Sequence, residues 1–247
     1  MAFFSKFPPH SPLFLRASYA KQLLTFPTSR RYHTSTPTPS LSRAELSAKV
    51  VTREQHEVIV GSLLADMSAI KPAGPKRNTR LTTGQSKANL DYLLSLSSLL
   101  ATLIRQQTPT PDNKLDRNTG IQYYGYKLCT MSLPCLNIYR EMFYPQGIKI
   151  VPTDIADHLT PLGLAHWFMQ DGFKHKKSMK FATNSFNDAD LELLLRALSS
   201  KFGLNCTLHK TSDIGQNIYV RYDSISRFVE LVKPFMHSSM LYKLPSE

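Results

Sequence analysis

A twofold internal repetition constrains the fold of this 247-residue chain more than any other feature. Two segments match at an offset of 94 residues, and the matched pairs include Ser132 with Ser226, Met142 with Met236, and Lys149 with Lys243. Upstream, both halves share one order: apolar helix, acidic residue, basic strand, polar pair, amphipathic helix, aromatic strand, helix and lysine. A duplicated unit predicts a pseudo-symmetric molecule in which residues 45–152 and 153–247 meet at one shared interface.

Hydrophobic periodicity predicts an α+β fold, because four short strands lie among amphipathic helices. The predicted helices are Glu54–Asp66, Lys87–Arg105, Leu133–Phe143, Pro161–Asp171 after an N-cap at Thr160, Asp188–Phe202 before a stop at Gly203, and Ile225–Met236. The predicted strands are Asn78–Thr83, Tyr123–Cys129, Lys177–Thr183 and Ile218–Tyr222. No apolar run approaches the roughly 18 residues that a membrane span requires, so we expect no membrane partner.

The first 44 residues differ from the rest, because they carry six basic residues, no acidic residue and many prolines and serines. This composition is typical of an organellar transit peptide, and we expect a mitochondrial presequence that lies outside the fold. A disordered basic tail that contacts nucleic acid is the alternative. The net charge of the whole chain is +12. Without the tail the body keeps half of that charge, which supports only non-specific attraction to polyanions.

Cysteine and histidine spacing argues against a metal site made of these residues. The three cysteines, Cys129, Cys135 and Cys206, form no C-x-x-C pair, so we predict reduced and buried thiols. The histidines, among them His158, His166 and His237, lack the spacing of a ligand pair.

Two nine-residue segments, Ile59–Met67 and Leu164–Gly172, resemble the LAGLIDADG motif. The flanks agree as well, and they include Leu159–Leu162, Thr183–Phe186, Lys201–Cys206, Leu231–His237 and Tyr242–Leu244. The similarity covers residues 53–245, so the chain resembles the LAGLIDADG homing endonucleases and intron maturases. The resemblance implies two αββαββα-like repeats that form a saddle-shaped antiparallel sheet surface along the major groove of DNA.

The resemblance also implies how the two motif helices pack. Small residues on one face of each helix let the two backbones approach closely at a pseudo-twofold axis, and these are Gly61, Ala65, Gly163 and Ala165. Large residues on the other faces fill the cores of the two halves, and these are Leu63, Leu64, Trp167 and Phe168. This arrangement would place the two terminal acids, Asp66 and Asp171, side by side.

Two adjacent carboxylates suit a metal-dependent phosphodiesterase, because they can hold Mg²⁺ between the scissile phosphates. The resemblance implies that the carbonyls of Ala65 and Gln170 complete the metal shell. It also implies that Gln85 and Asn184 position water and that Lys149 and Lys243 stabilise developing negative charge. Helix capping or plain solvent exposure is the alternative for the aspartates. An ordinary surface role is the alternative for the lysines and the amides.

Candidate nucleic-acid contacts are basic or polar residues on or beside the predicted strands. They are Lys76, Arg77, Arg80, Thr82, Lys127, Lys174, His175, Lys176, Lys180, His209, Lys210 and Arg221. Each could bond a base edge or a phosphate, and a solvated charged face is the alternative for each. Trp167 and the cluster of Tyr123, Tyr124 and Tyr126 are predicted to lie in the core or at an interface rather than to stack on bases.

Met67 stands where the motif usually carries glycine, and we expect it to disfavour a left-handed tight turn. The segment Thr82–Gly84 is also less basic than is usual in the family. Both departures fall in the first repeat, so we expect them to weaken its half of the DNA site and to affect cleavage rather than the fold.

Two functions from different classes fit these residues. The first is a monomeric, site-specific, Mg²⁺-dependent endonuclease that cuts both strands of duplex DNA. The second is a non-catalytic mitochondrial RNA-binding protein, such as a group I intron maturase, a splicing factor or a ribosome-associated factor. Both would use the same basic surface, so the fold alone does not decide between them.

Overall fold

The computed structural model describes residues 41–74, 77–211 and 215–245, and Ser42–Glu247 form one compact unit. The predicted presequence therefore lies almost entirely outside the described residues. Helix α1 (Arg43–Ser47) begins before the boundary predicted at residue 44. The Ser42 hydroxyl and the Glu45 carboxylate cap each other's backbone amides at its start.

Seven further helices follow α1 along the chain. They are α2 (Arg53–Leu64), α3 (Leu90–Leu99), α4 (Asn137–Phe143), α5 (Ile155–His158), α6 (Pro161–Asp171), α7 (Asp188–Phe202) and α8 (Ile225–Val232). Short 3₁₀ turns precede or extend several of them, at Lys87–Asn89, Ala101–Leu103, Pro134–Leu136, Tyr222–Ser224, Lys233–Phe235 and Ser238–Lys243. The described part of the chain contains no helix long and apolar enough to span a bilayer.

Ten short strands complete the fold in the described residues. They are β1 (Ser68–Ile70), β2 (Arg80–Ser86), β3 (Thr110–Pro111), β4 (Lys114–Leu115), β5 (Gln122–Tyr123), β6 (Gly125–Cys129), β7 (Gly172–His175), β8 (Ser178–Phe181), β9 (Cys206–Lys210) and β10 (Gln216–Val220). Two antiparallel sheets have the orders β1-β2-β6-β3 and β7-β8-β10-β9, and β4 pairs with β5 in a separate hairpin. The two sheets therefore share one topology, and the predicted α+β fold with two αββαββα repeats is confirmed.

Several strands escaped the periodicity analysis because they are too short to display it. Strand β1 has three residues, and β7 follows α6 without a connecting loop. Strand β9 pairs along its whole length with β10, although the burial of its side chains does not alternate along the strand. The prediction of one helix over Lys87–Arg105 was too long at its C-terminal end, where α3 gives way to a 3₁₀ turn.

Helices α2 and α6 pack against each other at the centre of the molecule. Thr52 caps α2 with Gln55 in a capping box, and Thr160 caps α6 ahead of Pro161. A Cβ atom on Gly61 would overlap the carbonyl group of Gly163, and one on Gly163 would lie 2.8 Å from the Glu57 carbonyl oxygen. Backbone thus lies against backbone at this crossing, as the small residues predicted.

The outer faces of the same two helices fill the cores of the two halves. Leu63, Leu64, Trp167 and Phe168 are fully buried, as predicted. In the second half the Trp167 and Phe168 rings pack against Phe181 of β8, with ring centroids 4.2 and 5.4 Å apart. Apolar residues of both halves belong to one continuous core, so the two repeats fold as one body.

Candidate active site and nucleic-acid interface

Two carboxylates lie at the C-terminal ends of the central helices. Asp66 follows α2 after the cap residue Ala65, and Asp171 is the last residue of α6. The negative charge of Asp66 acts on Asp171, and both carboxylates act on Lys149 and Lys243. The structure therefore assembles two acids and two bases, one of each from each repeat, in one electrostatically coupled cluster.

Each lysine caps the helix of its own repeat. The Lys149 ammonium donates to the Ala65 carbonyl at 2.7 Å. The Lys243 ammonium donates to the carbonyls of Met169 and Gln170 at 2.6 and 3.3 Å. Carbonyls at a helix C-terminus lack intrahelical partners and carry the negative end of the helix dipole, so a cation is favoured there. This shared role explains why the two lysines recur at matched positions of the repeat.

Burial shifts the proton equilibria of the cluster towards its neutral forms. Desolvation raises the pKa of Asp171 to about 8, and the Asp66 charge adds to the effect while the two lysines oppose it. Desolvation likewise lowers the pKa values of Lys149 and Lys243 to about 8, against the attraction of the two aspartates. Asp66 remains accessible to solvent, and its pKa is also raised by desolvation. A bound cation would reverse the shift of the carboxyl groups, because it favours their ionised form.

Only one of the two predicted water-positioning amides contacts a carboxylate. The Gln85 amide donates to Asp66 Oδ2 at 2.8 Å. Asn184 is exposed and makes no side-chain hydrogen bond within the described residues. The sheet register places Thr183 at the position that corresponds to Gln85, and the Thr183 hydroxyl instead donates to the Gln216 carbonyl at 2.7 Å. The prediction that paired Asn184 with Gln85 was therefore one residue out of register.

A buried polar layer lies behind the carboxylates, and the sequence analysis did not find it. The Gln170 amide donates across the helix interface to the Ser62 hydroxyl at 2.8 Å and to the Tyr92 hydroxyl at 2.9 Å. Tyr92 also bonds His166 Nδ1 at 3.0 Å, and burial lowers the pKa of that histidine to about 4. The unusual density of polar residues on otherwise apolar helices was the available signal, since buried polar groups require partners.

Met67 does not have the consequence expected from the sequence. Neither Met67 nor Gly172 has a positive φ, and Lys176 is the one non-glycine residue with a positive φ in the described ranges. The Met67 side chain is instead buried in the core. Glycine is required at 172 for a different reason, because a Cβ atom there would overlap the Phe168 ring. The replacement of glycine at 67 therefore removes no left-handed turn from the site.

The donor set suits a hard divalent cation that keeps most of its water. No group of three or more His, Cys, Asp or Glu residues that could hold a metal ion occurs among the described residues. Two carboxylates completed by water and substrate phosphates are the usual environment of Mg²⁺, whereas closed transition-metal sites need more protein ligands. The lysines already lie on the carbonyls of Ala65 and Gln170, so the carboxylates of Asp66 and Asp171 are the better ligand candidates.

The outer face of the first sheet carries small and polar side chains. Residues directly paired across strands share a face, and two such rows point away from the buried residues Leu81 and Leu128. The rows are Ser68, Thr82 and Cys129, and then Gly84, Lys127 and Thr110. Arg80 lies on the same face at the end of β2, and Cys129 is exposed there, contrary to the predicted burial of all three thiols.

The outer face of the second sheet is bulkier and more aromatic. One row contains Phe173, Lys180, Tyr219 and Thr207. Tyr219 stacks on His209 with ring centroids 4.2 Å apart, meets His175 edge-on at 6.5 Å and has the Lys180 ammonium 5.9 Å from its ring centroid. The opposite sides of both sheets carry the core, so these two outer faces are the surfaces expected to meet the DNA groove. We call them together the groove face.

The predicted nucleic-acid contacts divide between the groove face and other positions. Arg80, Thr82, Lys127, His175, Lys180 and His209 lie on the groove face. Lys174 and Lys210 belong by register to the opposite side of their edge strands, and Arg221 lies beside α7 near Arg196, where it pairs with Asp223. Arg77 and Lys176 are exposed in connecting segments, and Lys76 lies outside the described residues.

The tyrosines that were predicted to be core or interface residues lie differently. Tyr124 is 61% exposed, and Tyr123 is partly exposed at the end of the β4–β5 hairpin, whereas Tyr126 is half-buried against the core. Only Tyr126 and Trp167 therefore occupy the environment predicted for the aromatic residues.

Comparison with known proteins agrees with this geometry. Residues 56–228 match the family model described as the LAGLIDADG DNA endonuclease family. A cytochrome b mRNA maturase bI2 of Debaryomyces hansenii is 36% identical over 199 residues, which cover 79% of this chain and 75% of that protein. The DNA endonuclease I-ChuI of Chlamydomonas applanata is 27% identical over 78% of this chain and 95% of its own.

A solved structure shows the same architecture. The homing endonuclease I-WcaI bound to its DNA recognition sequence superimposes with a TM-score of 0.74 at 25% identity, over 81% of this chain and 89% of that one. The match spans both repeats of the present chain rather than a single motif. The chain therefore belongs to the LAGLIDADG family of DNA endonucleases and intron maturases.

Proposed function

We propose that this protein is a site-specific endonuclease that cuts both strands of duplex DNA with the help of a divalent cation, Mg²⁺ in the cell. One observation carries the proposal: two aspartates and two lysines, one of each from each repeat, form a single cluster at the ends of helices that touch backbone to backbone. A protein that only bound nucleic acid would have no need to bring two carboxylates together in a partly desolvated cluster, where each is harder to ionise.

Each residue of the cluster has a role that follows from its chemistry. Asp66 and Asp171 would hold the cation, whose chemistry when bound is Lewis-acid polarisation of a phosphate and a lower pKa of an attacking water. Lys149 and Lys243 supply positive charge where the leaving oxygen becomes negative. Gln85 orders Asp66 through its hydrogen bond and offers a polar group to the water beside it. The groove face holds the duplex, and Arg80, Lys127 and Lys180 contact its phosphates or base edges.

Both motif copies lie in one chain, and the interface between them is internal. We therefore propose that the monomer is the active form, since a second copy is not needed to complete the site. The transit-like composition of residues 1–44 supports import into mitochondria. A fusion of those residues to a fluorescent protein should co-localise with mitochondria, and a diffuse signal would contradict the proposed location.

Cleavage of a supercoiled plasmid library that contains candidate target sites tests the proposed activity. With Mg²⁺ the wild-type protein should give nicked and then linear plasmid, and Asp66→Asn and Asp171→Asn should abolish linear product while binding persists. Absence of cleavage across the library by the wild-type protein, with Mg²⁺ or Mn²⁺, would reject the endonuclease proposal.

Cys129 offers a direct test of where nucleic acid binds. It is an exposed free thiol on the groove face, whereas Cys135 and Cys206 are partly buried and burial raises the pKa values of their thiols. Because the thiolate is the reactive species, Cys129 should be alkylated first. Bound target DNA should protect Cys129 from a maleimide. Unchanged labelling at saturating DNA would place the duplex elsewhere.

A maturase activity is the second candidate, and the identity of 36% to a cytochrome b mRNA maturase favours it specifically. A maturase needs an RNA-binding surface, but it does not need the carboxylates. Splicing of a group I intron that persists in the Asp66→Asn Asp171→Asn double variant would support this function. Protection of Cys129 by intron RNA would show that both nucleic acids use the groove face.

A further inference from the structure

We propose that Asn89 is a positioning residue that holds the Gln85 side-chain amide in the one orientation that supports Asp66. This inference rests on the proposed function for its catalytic meaning. Its structural content concerns only the residues of this chain. The cluster of Asn89, Gln85 and Asp66 has no counterpart around Asp171 within the described residues.

The contacts form a short chain of hydrogen bonds. Gln85 Nε2 donates to Asp66 Oδ2 at 2.8 Å, and Asn89 Nδ2 donates to Gln85 Oε1 at 3.0 Å. Gln85 lies on the inward side of β2 and is 8% exposed. Asn89 closes the 3₁₀ turn Lys87–Asn89 that leads from β2 into α3, so its backbone is fixed by secondary structure on both sides.

The direction of these hydrogen bonds matters because a glutamine amide is polar at both ends. One end carries two donors and the other carries an acceptor oxygen. An ionised Asp66 is stabilised only when the donor end faces it, and the reversed amide would bring two oxygens together. Asn89 favours this orientation, because its Nδ2 donates to the Gln85 oxygen and so draws that oxygen away from Asp66.

The second repeat supplies no such device among the residues that the structure describes. Thr183 occupies the register position of Gln85 and donates to a backbone carbonyl, while Asn184 is exposed. The two carboxylates of the cluster are therefore held differently, Asp66 by an oriented amide and Asp171 by electrostatics alone. Gln85 creates this difference, and Asn89 is the residue that orients Gln85.

Asn89→Asp is the informative variant, because a carboxylate of the same shape accepts where asparagine donated. The introduced carboxylate would accept a bond from Gln85 Nε2 and so turn the Gln85 oxygen towards Asp66. Asn89→Ala removes the constraint without imposing the reverse one, and it is available should Asn89→Asp not fold. Asn205→Asp adds the same charge at an exposed residue of the second repeat and serves as the control.

The first readout is the side-chain amide signal of Gln85 in ¹⁵N-labelled, metal-free protein. In the otherwise wild-type chain, Asp66→Asn should shift the Gln85 Hε2 resonances, because their nitrogen bonds that residue. In the Asn89→Asp background the same Asp66→Asn change should leave them almost unmoved, while in the Asn205→Asp background the shift should persist. An equal response in the Asn89→Asp background would overturn the proposal whether or not the protein cleaves DNA.

The second readout is the rate of the first nick in plasmid DNA. Asn89→Asp should lower kcat roughly tenfold with KM within about twofold, the effect of one reversed hydrogen bond to a charged group. In a Gln85→Ala background Asn89→Asp should have little further effect, because Asn89 acts through Gln85. A full tenfold loss in that background would show that the added charge acts directly and would refute the positioning role. A wild-type protein that never nicks DNA would refute the proposed function but leave the spectroscopic result decisive for Asn89.

Discussion

Substitution of the interface glycines by alanine should destabilise the protein in an order set by how closely the two helix backbones approach. A Cβ atom on Gly61 would overlap the Gly163 carbonyl, and one on Gly163 would lie 2.8 Å from the Glu57 carbonyl oxygen. A Cβ atom on Gly84, in β2, would lie 3.4 Å from its nearest neighbour, which is an ordinary contact. Gly84→Ala is therefore the matched control.

The magnitude follows from two opposing effects. An alanine in a helix interior gains about 1 kcal/mol over glycine, so propensity alone would stabilise Gly61→Ala. Overpacking a close-packed contact costs about 1–3 kcal/mol or more, and here the obstacle is backbone, which cannot rotate away. We expect Gly61→Ala to lose about 2 kcal/mol or more net, Gly163→Ala about 1 kcal/mol or less, and Gly84→Ala to stay within about 0.5 kcal/mol.

Thermal unfolding by circular dichroism measures this order directly. A loss of about 2 kcal/mol should lower Tm by about 4–8 °C for a unit of this size. Plasmid cleavage should fall further for Gly61→Ala than stability alone explains, because helices forced apart also separate Asp66 from Asp171. A Gly61→Ala protein with an unchanged or higher Tm and full cleavage would refute the backbone contact between the two helices.

Three further predictions concern charge and protonation. Lys149→Met and Lys243→Met should each slow cleavage by about 10²-fold or more with target affinity largely retained, as gel shift and quenched-flow assays would show. Binding of Ca²⁺ to the DNA complex at pH 7 should release protons, because the Asp171 pKa of about 8 keeps that carboxyl largely protonated beforehand; calorimetry in two buffers measures the release. Burial lowers the pKa of His166 to about 4, so its contribution to stability is present above about pH 6.5 and is lost as the pH falls towards 4. The decline in Tm between pH 7 and 5 should therefore be smaller in His166→Asn, which keeps an acceptor for Tyr92.

The pattern of repeated residues was enough to predict the central architecture. Gly61 and Gly163 could be assigned to the interface because residues without bulky side chains let two helix backbones approach closely. Gly203 was likewise predictable as a helix stop, and it adopts the left-handed conformation with φ at 68°. These features depend on backbone geometry, and glycine marks in the sequence the positions where that geometry excludes a side chain.

The polar contacts of the site could not be predicted in the same way. Asn89 lies four residues from Gln85 in a turn without a repeated partner, and nothing local indicates that the two amides meet. Tyr92 and His166 are 74 positions apart and become neighbours only through tertiary packing. The offset of one residue arose because Gln85-Ser86 was matched to Asn184-Ser185 by residue type, whereas the register of the two sheets equates Gln85 with Thr183.

Family membership links the chain to proteins named both endonuclease and maturase. The geometry adds a reason to prefer cleavage, since the lysines and carboxylates of both repeats are retained together. The charge of Asp66 helps to raise the pKa of Asp171. Loss of either carboxylate would leave a single acidic ligand for a doubly charged cation.

The two halves of the groove face should recognise DNA half-sites of different sequence. The two repeats share the capping lysines, whereas their outward side chains differ. At matched register positions Thr82 corresponds to Lys180, and Cys129 corresponds to Tyr219. Thr82 and Cys129 are small and leave space for a base edge. Lys180 and Tyr219 are larger, occupy that space and add a positive charge. A cleavage selection over randomised sites would identify the target, which joins two different half-sites. We therefore expect a palindrome made of two copies of either half-site to be cut more slowly than that target. Equal cutting of both palindromes and the selected target would show that the divergent residues do not determine the target.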